Sequence, residues 1–278
     1  MQVYWLEQTG TDVPAGNHWL GASEAMRLER MRFAKRRADW RLGRWAAKHA
    51  LALHLNLPLH PVSLARIEIR PEPSGAPEVF LDGQSAALTI SLTHRDGRAA
   101  CAVAPFATAL GCDLELIEPR SDAFIADYFT AEEQSLVARA PTADRPRLLA
   151  LLWSGKESAL KALRTGLRLD TRCVIVTPIG EAPQEPNRRT CVAQEDPGAR
   201  APAAGMLQAD GWRPLIVRCF NGQVFYGWSQ HAGDLVRTVV AAPPPDSPML
   251  LPALPDIQAF QSSVDDPLGS TACPVTSS

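Results

Sequence analysis

Residues 109–118 read ALGCDLELIE and residues 146–164 read PRLLALLWSGKESALKALR. The first stretch alternates with a period of two. Asp113 and Glu115 share one strand face with Gly111, while Leu110, Cys112, Leu114 and Leu116 take the other, apolar, face. The second has helical spacing, with Pro146 near its start and Gly166 just past its end. On a wheel of about 100° per residue, Leu149, Leu152, Trp153, Leu160 and Leu163 form an apolar stripe with Lys156 in its middle. Glu157 and Lys161 lie on the flank of that stripe, one turn apart, with Ser154 nearby.

Working outward, residues 24–56 read as two helices with Ser23 and Asp39 as candidate N-caps. Strand patterns cover 64–70 and 88–104, the latter turning at Asp96-Gly97. Thr130-Ala-Glu-Glu133 is a capping box that predicts a short helix after it. Strand-like runs return at 172–177, 212–219, 223–229 and 235–241. Residues 178–206 hold five Pro and no clear periodicity, so a loop is expected, and no internal solenoid repeat is visible. The stretch from Pro243 has eight Pro in 36 residues and is expected to be disordered.

The 278 residues are 46% apolar and 21% charged, which is enough for one large domain or two small ones. No run of 18 uncharged apolar residues exists, and MQVYWLEQTG lacks the basic-then-apolar order of a secretory signal. The six cysteines, at 101, 112, 173, 191, 219 and 273, form no CxxC pair and read as reduced thiols, so a cytoplasmic protein is expected.

The net charge of −2 hides a strong polarity: residues 27–48 carry nine Arg or Lys against two acids, while 243–278 carry four Asp and no base. Such a basic helix suits nucleic acid, a membrane surface, an acidic protein or a phosphorylated small molecule, and equally an ordinary solvated face. The overall charge argues against nucleic acid. Only four lysines occur, at 35, 48, 156 and 161, and two of them fall in SGKESALK, which points to a demand there for a compact ammonium. The P-loop pattern fails because Gly155-Lys156 is followed by Glu157, and GxGxxG, HExxH and GxSxG are absent.

Two carboxylates converging beside a glycine suit Mg²⁺, although a half-solvated strand with two surface acids accounts for them as well. Lys156 on the core side of its helix fits either a site or a snorkelling lysine. Thr93-His94 at a strand end can donate hydrogen bonds to phosphate, or serve the fold alone.

Taken in order, the basic helix with Arg44 and Lys48, Thr93-His94, Gly111-Cys-Asp113-Leu-Glu115, Phe129-Thr-Ala-Glu-Glu133 and Trp153-Ser-Gly-Lys156-Glu157-Ser-Ala-Leu-Lys161 strongly resemble the Sfp-type 4′-phosphopantetheinyl transferases. The ordered resemblance spans about residues 20–170, weaker strand patterns extend it to about 242, and the tail has no counterpart.

The resemblance implies an α+β, pseudo-duplicated, two-lobed fold with the site between the lobes. Residues 1–107 would form an N-terminal half, 108–242 a C-terminal half, and 243–278 an acidic tail. It implies transfer of the phosphopantetheine arm of coenzyme A to a serine of an apo acyl or peptidyl carrier protein, with release of 3′,5′-ADP. Asp113, Glu115 and Glu157 would hold Mg²⁺. Glu157 would be the candidate base and Lys161 would neutralise or protonate the leaving phosphate. Arg44, Lys48, Arg70, Thr93, His94, Asp113, Lys156 and Lys161 would bind the coenzyme. The expected partners are coenzyme A and a carrier protein, with no nucleic acid and no membrane, and the expected state is a monomer.

Two departures stand out. Where a Gly-Lys-Pro element is usual, the chain reads Gly75-Ala76-Pro77, so backbone contacts must suffice. Glu133 serves a capping box as well as its motif, which leaves its role open. The alternatives are a non-catalytic coenzyme A- or carrier-binding protein of the same fold, and a Mg²⁺-dependent phosphate-ester hydrolase.

Overall fold

The computed structural model describes residues 1–179 and 211–252. Most of the expected 178–206 loop, and the tail from 253 onward, lie outside the described residues. In chain order the elements are β1 (Tyr4–Thr9), α1 (Ala22–Glu29), α2 (Ala34–His54), α3 (Pro61–Ala65), β2 (Ile67–Pro71), β3 (Pro77–Leu81), β4 (Gln84–Ser85), β5 (Leu88–Arg95), β6 (Arg98–Pro105) and β7 (Ala109–Leu116). There follow α4 (Asp122–Tyr128), α5 (Ala131–Arg139), α6 (Arg145–Ala162), β8 (Val174–Pro178), β9 (Arg213–Cys219), β10 (Val224–Ala232), β11 (Leu235–Ala242) and β12 (Met249–Leu250).

Helix and sheet are mixed. One sheet has the order β12-β1-β6-β5, a second β7-β11-β10-β9-β8, and β2-β3-β4 form a small third. Helix α2 buries Trp45, Ala50 and Leu51 with Leu6, Ile90, Cys101 and Val103 of the first sheet. Helix α6 buries Leu149, Leu152 and Leu160 with Val174, Val217, Phe225 and Val240 of the second. A third core joins the remaining faces: Trp5, Ala100 and Ala102 meet Cys112, Leu114, Trp228 and Val239. Strands β6 and β7 are thereby buried on both faces, so the exposed-acid alternative for β7 fails. Among the described residues no helix is long and apolar enough to cross a membrane.

The two larger sheets meet along β5 and β7 without a backbone ladder. The amide of Cys112 donates to Ser91 Oγ at 2.9 Å and that of Leu114 to Thr93 Oγ1 at 3.3 Å. Two hydroxyls thus replace backbone acceptors, satisfying buried N–H groups that would otherwise be costly.

Two buried lysine–glutamate pairs anchor the helices in the same manner. Lys48 on α2 lies 2.6 Å from Glu24 and donates to the carbonyls of Trp19, Leu64 and Ile67. Glu24 also accepts from the Gly21 amide at the start of α1 and from Ile69 of β2. Lys156 on α6 lies 2.8 Å from Glu133 and donates to the carbonyls of Thr171 and Val174. Glu133 in turn accepts from the Thr130 amide at the start of α5 and from Val176 of β8.

Several local expectations are corrected. Ser23 and Asp39 lie inside α1 and α2 rather than at their starts. Glu24 caps the chain earlier at Gly21, and Asp39 pairs with Lys35 along the helix at 3.4 Å. The strand expected at 64–70 begins only at Ile67, because Pro61 opens the short helix α3. Residues 243–252 are not a loose tail: β12 runs parallel to β1, and the Trp228 indole donates to the Pro245 carbonyl at 3.1 Å.

Candidate active site

Asp113 and Glu115 point from β7 toward α6, and both are almost fully buried. Gly111 on the same face admits that helix, since a Cβ there would lie 1.7 Å from the Ser158 carbonyl oxygen. Close approach brings Lys161 Nζ to 2.8 Å from Asp113 Oδ1 and 2.9 Å from the Cys112 carbonyl. Thr93 donates to the same Asp113 oxygen at 3.0 Å. Glu115 pairs with Arg120, and Arg95 stands 3.7 Å away.

Glu157 is half-buried and makes no hydrogen bond or ion pair among the described residues. Burial, with the Asp113 charge added, raises its pKa above the usual carboxylate value, and Lys161 only partly opposes this. Glu115 is raised as well, by burial chiefly and then by Asp113, against the pull of Arg95 and Arg120. Burial disfavours the Lys161 ammonium, but Asp113, Cys112 and Glu157 together raise its pKa.

Beside this acid cluster lies a cleft of about 380 Å³ whose lining, among the described residues, includes Arg27, Arg44, Arg70, Lys161 and Arg164 and no Asp or Glu. Its walls come from α1, α2, the β2–β3 turn, β5, the start of β7 and the end of α6. Burial lowers the Arg44 pKa to about 10 despite Glu24, 3.6 Å away, so an anion in the cleft would regain interaction with a guanidinium poorly served by water.

Residues 109–197 match the family model of the 4′-phosphopantetheinyl transferase superfamily. No curated protein matches the chain. Among solved structures, Helicobacter pylori holo-[acyl-carrier-protein] synthase in complex with coenzyme A is 19% identical over 37% of this chain and 99% of its own, with a TM-score of 0.30. The superfamily match includes β7 and α6, which carry Asp113, Glu115, Glu157 and Lys161.

Of the residues singled out from the sequence, Arg44, Arg70 and Lys161 line the cleft, and Asp113, Glu115, Thr93 and Glu157 gather beside it. His94 is exposed where Thr93 is buried, because neighbours on a strand face opposite ways. Both line a second groove, of about 560 Å³, with Phe33, Lys35, Arg36, Asp39, Trp40 and Arg44. Among the described residues, Arg44 and Leu92 are common to the cleft and this groove.

Two assignments are corrected. Lys48 and Lys156 are fully buried and their ammonium groups are taken up by Glu24, Glu133 and backbone carbonyls, so neither reaches the cleft as a coenzyme ligand. Glu133, left open by the sequence, is 1% exposed and works as a cap and as the counter-ion of Lys156. Arg27, Arg164, Arg95 and Arg120 were missed. Arginine is so frequent here that no local signal marks these four.

Carboxylate oxygens suit a hard divalent cation by their chemistry, and burial together with the Asp113 charge raises the pKa of Glu115 and Glu157, which added positive charge would oppose. Among the described residues, however, no three His, Cys, Asp or Glu side chains are gathered closely enough to hold a metal ion. Lys161 and Arg120 currently supply the positive charge at Asp113 and Glu115.

Proposed function

We propose that this protein transfers the 4′-phosphopantetheine arm of coenzyme A to a serine hydroxyl of an apo acyl or peptidyl carrier protein, releasing 3′,5′-ADP. One observation carries the reading: among the described residues, a cleft lined by five cations and no acid adjoins a carboxylate cluster in which Glu157 has no hydrogen-bond or ion-pair partner and a raised pKa. The superfamily match over 109–197 supports it.

In this reading the pyrophosphate lies against Arg44, Arg70 and Lys161. Glu157 accepts the serine proton as the serine oxygen bonds to the β-phosphorus. The bond from that phosphorus to the bridging oxygen breaks, and Lys161 neutralises the charge that develops on the leaving 3′,5′-ADP. Asp113, Glu115 and Glu157 would hold Mg²⁺ only by drawing closer together than they stand here, and the ion when bound would neutralise pyrophosphate oxygens. Asp113 fixes Lys161 at 2.8 Å, and Thr93 fixes Asp113.

The finer fold reading, two pseudo-duplicated lobes of the Sfp-type meeting at the cleft, belongs to the same proposal. Its support is the recurrence in α6 and β8 of the buried lysine–glutamate arrangement of α2 and β2. A monomer acting in the cytoplasm completes the proposal.

The test is incubation with coenzyme A, Mg²⁺ and several apo-carrier proteins, read by intact mass. A carrier that gains the phosphopantetheine arm supports the proposal. Coenzyme A bound with no carrier modified would make this a non-catalytic binder, and free 3′,5′-ADP without modified carrier would make it a hydrolase.

A further inference from the structure

The β2–β3 turn is an unusual wall for a ligand site. It contributes Pro71, Ser74, Gly75, Ala76 and Pro77 to the cleft, and none of these has a long side chain. Such residues act on a ligand through their position alone, so what holds the turn matters more than its composition. Internally it is closed by Glu72 N–H to the Ala76 carbonyl and Gly75 N–H to the Glu72 carbonyl, both 2.8 Å, with Gly75 at φ 93°.

The turn is also tied to a distant part of the chain. Arg164 Nη1 donates to both carboxylate oxygens of Glu72, at 2.7 and 2.8 Å, and Arg168 donates to the Ser74 carbonyl at 2.8 Å. Arg164 stands just past the end of α6. Its amide bonds back to Lys161 at 3.0 Å, and the Thr165 amide bonds to Leu160 at 3.2 Å. This is the Schellman end of a helix, whose left-handed position favours glycine. Here arginine occupies it, at φ 57°, a conformation that L-residues other than Asn and Asp rarely adopt. Glycine follows only two positions later, at Gly166.

We propose that Arg164 and Arg168 form a strap that holds the β2–β3 turn against the end of α6, and that the strap sets the affinity of the cleft for its phosphate-bearing ligand. Glu72 and Arg168 are positioning residues: neither lines the cleft, and both act through the turn. The same helix end carries Lys161 and Arg164 into the cleft, so the strap keeps the turn in register with these cations. The inference rests on the cleft being the phosphate site of the proposed function.

The test compares the full chain with its Glu72→Gln and Arg168→Gln variants, both of which retain Arg164. Binding of coenzyme A and, separately, of inorganic pyrophosphate is measured by calorimetry, and amide exchange is followed at 72–76. Each variant should bind coenzyme A roughly two- to fivefold more weakly, the scale of a partly exposed pair. Exchange at Glu72 and Gly75 should quicken, while the melting temperature holds. In the carrier assay KM for coenzyme A should rise with kcat unchanged.

Equal or tighter binding by Glu72→Gln overturns the strap, since a carboxylate that merely competes for Arg164 gives that result. If the wild type binds coenzyme A and the variants match it, the strap fails and the function stands. Wild-type binding of pyrophosphate but not coenzyme A removes the proposed function, and the strap is then judged on the pyrophosphate affinities. Binding of neither removes both.

Discussion

Lys156 and Glu133 lie 2.8 Å apart with both side chains essentially inaccessible to water. The pair is compensated on every side. Lys156 reaches two carbonyls, while Glu133 accepts from amides of α5 and β8. Burial lowers the pKa of Lys156 even so, which marks the ammonium as held by its partners rather than by solvent.

Removing one member of that pair strands the other. Lys156→Met should therefore cost about 3–5 kcal/mol, and Glu133→Leu a similar amount, while the double variant recovers much of the loss. Denaturant unfolding of the three variants measures this. Lys156→Met protein that remains folded at low temperature should bind coenzyme A as the wild type does. A large loss of affinity without loss of stability would return Lys156 to the binding site.

Glu157→Gln separates chemistry from stability. It removes the proposed base and one metal ligand, and should lower the transfer rate by about a thousandfold or more. Folding raises the Glu157 pKa above the ordinary 4.5, so the folded state binds that proton more tightly than the unfolded one. The penalty is absent below that value and grows as pH rises through it toward the raised folded value. The Gln variant should melt higher than wild type at pH 7, and the difference should shrink toward zero at pH 4. Calorimetric scans at the two pH values check the sign.

Gly111→Ala tests why the acid strand carries a glycine. Its added methyl would meet the backbone of α6 at Ser158 and Ala162, which no rotamer change can relieve. A loss of about 3 kcal/mol or more is expected, with Lys161 displaced from Asp113. Unchanged stability would show that α6 can retreat from β7.

Truncation separates two parts of the proline-rich C-terminus. A chain ending at Pro252 keeps β12 on β1 and the amide bond from Asp246 to Met1, whereas one ending at Ala242 loses both and strips the Trp228 indole of the Pro245 carbonyl. The shorter chain should lose roughly 1–3 kcal/mol, mainly from that buried donor. Thermal melts of both chains provide the comparison.

Salt should also report on the cleft. With five cations lining it, binding of inorganic pyrophosphate should weaken by roughly tenfold between 50 and 500 mM NaCl, as screening shortens the reach of Arg27 and Arg164. Calorimetric titration across that range measures it, and a salt-independent affinity would place the anion elsewhere.

Sequence by itself determined what depends on neighbours along the chain. Alternation put Asp113 and Glu115 on one face of β7, helical spacing put Glu157 and Lys161 on one flank of α6, and the Thr130–Glu133 box marked the start of α5. It could not rank four lysines against one another, because an ammonium in the core and one at a site have the same local pattern. Only the tertiary structure decided that Lys48 and Lys156 are buried with glutamates, that Lys161 meets Asp113, and that Thr93 is buried against Asp113 while His94 stays exposed. It likewise decided that 243–252 closes the first sheet as β12, since a lone two-residue strand has no periodicity to read. Those outcomes rest on contacts between residues far apart in the chain, where burial and the supply of partners, rather than local propensity, set the free energy.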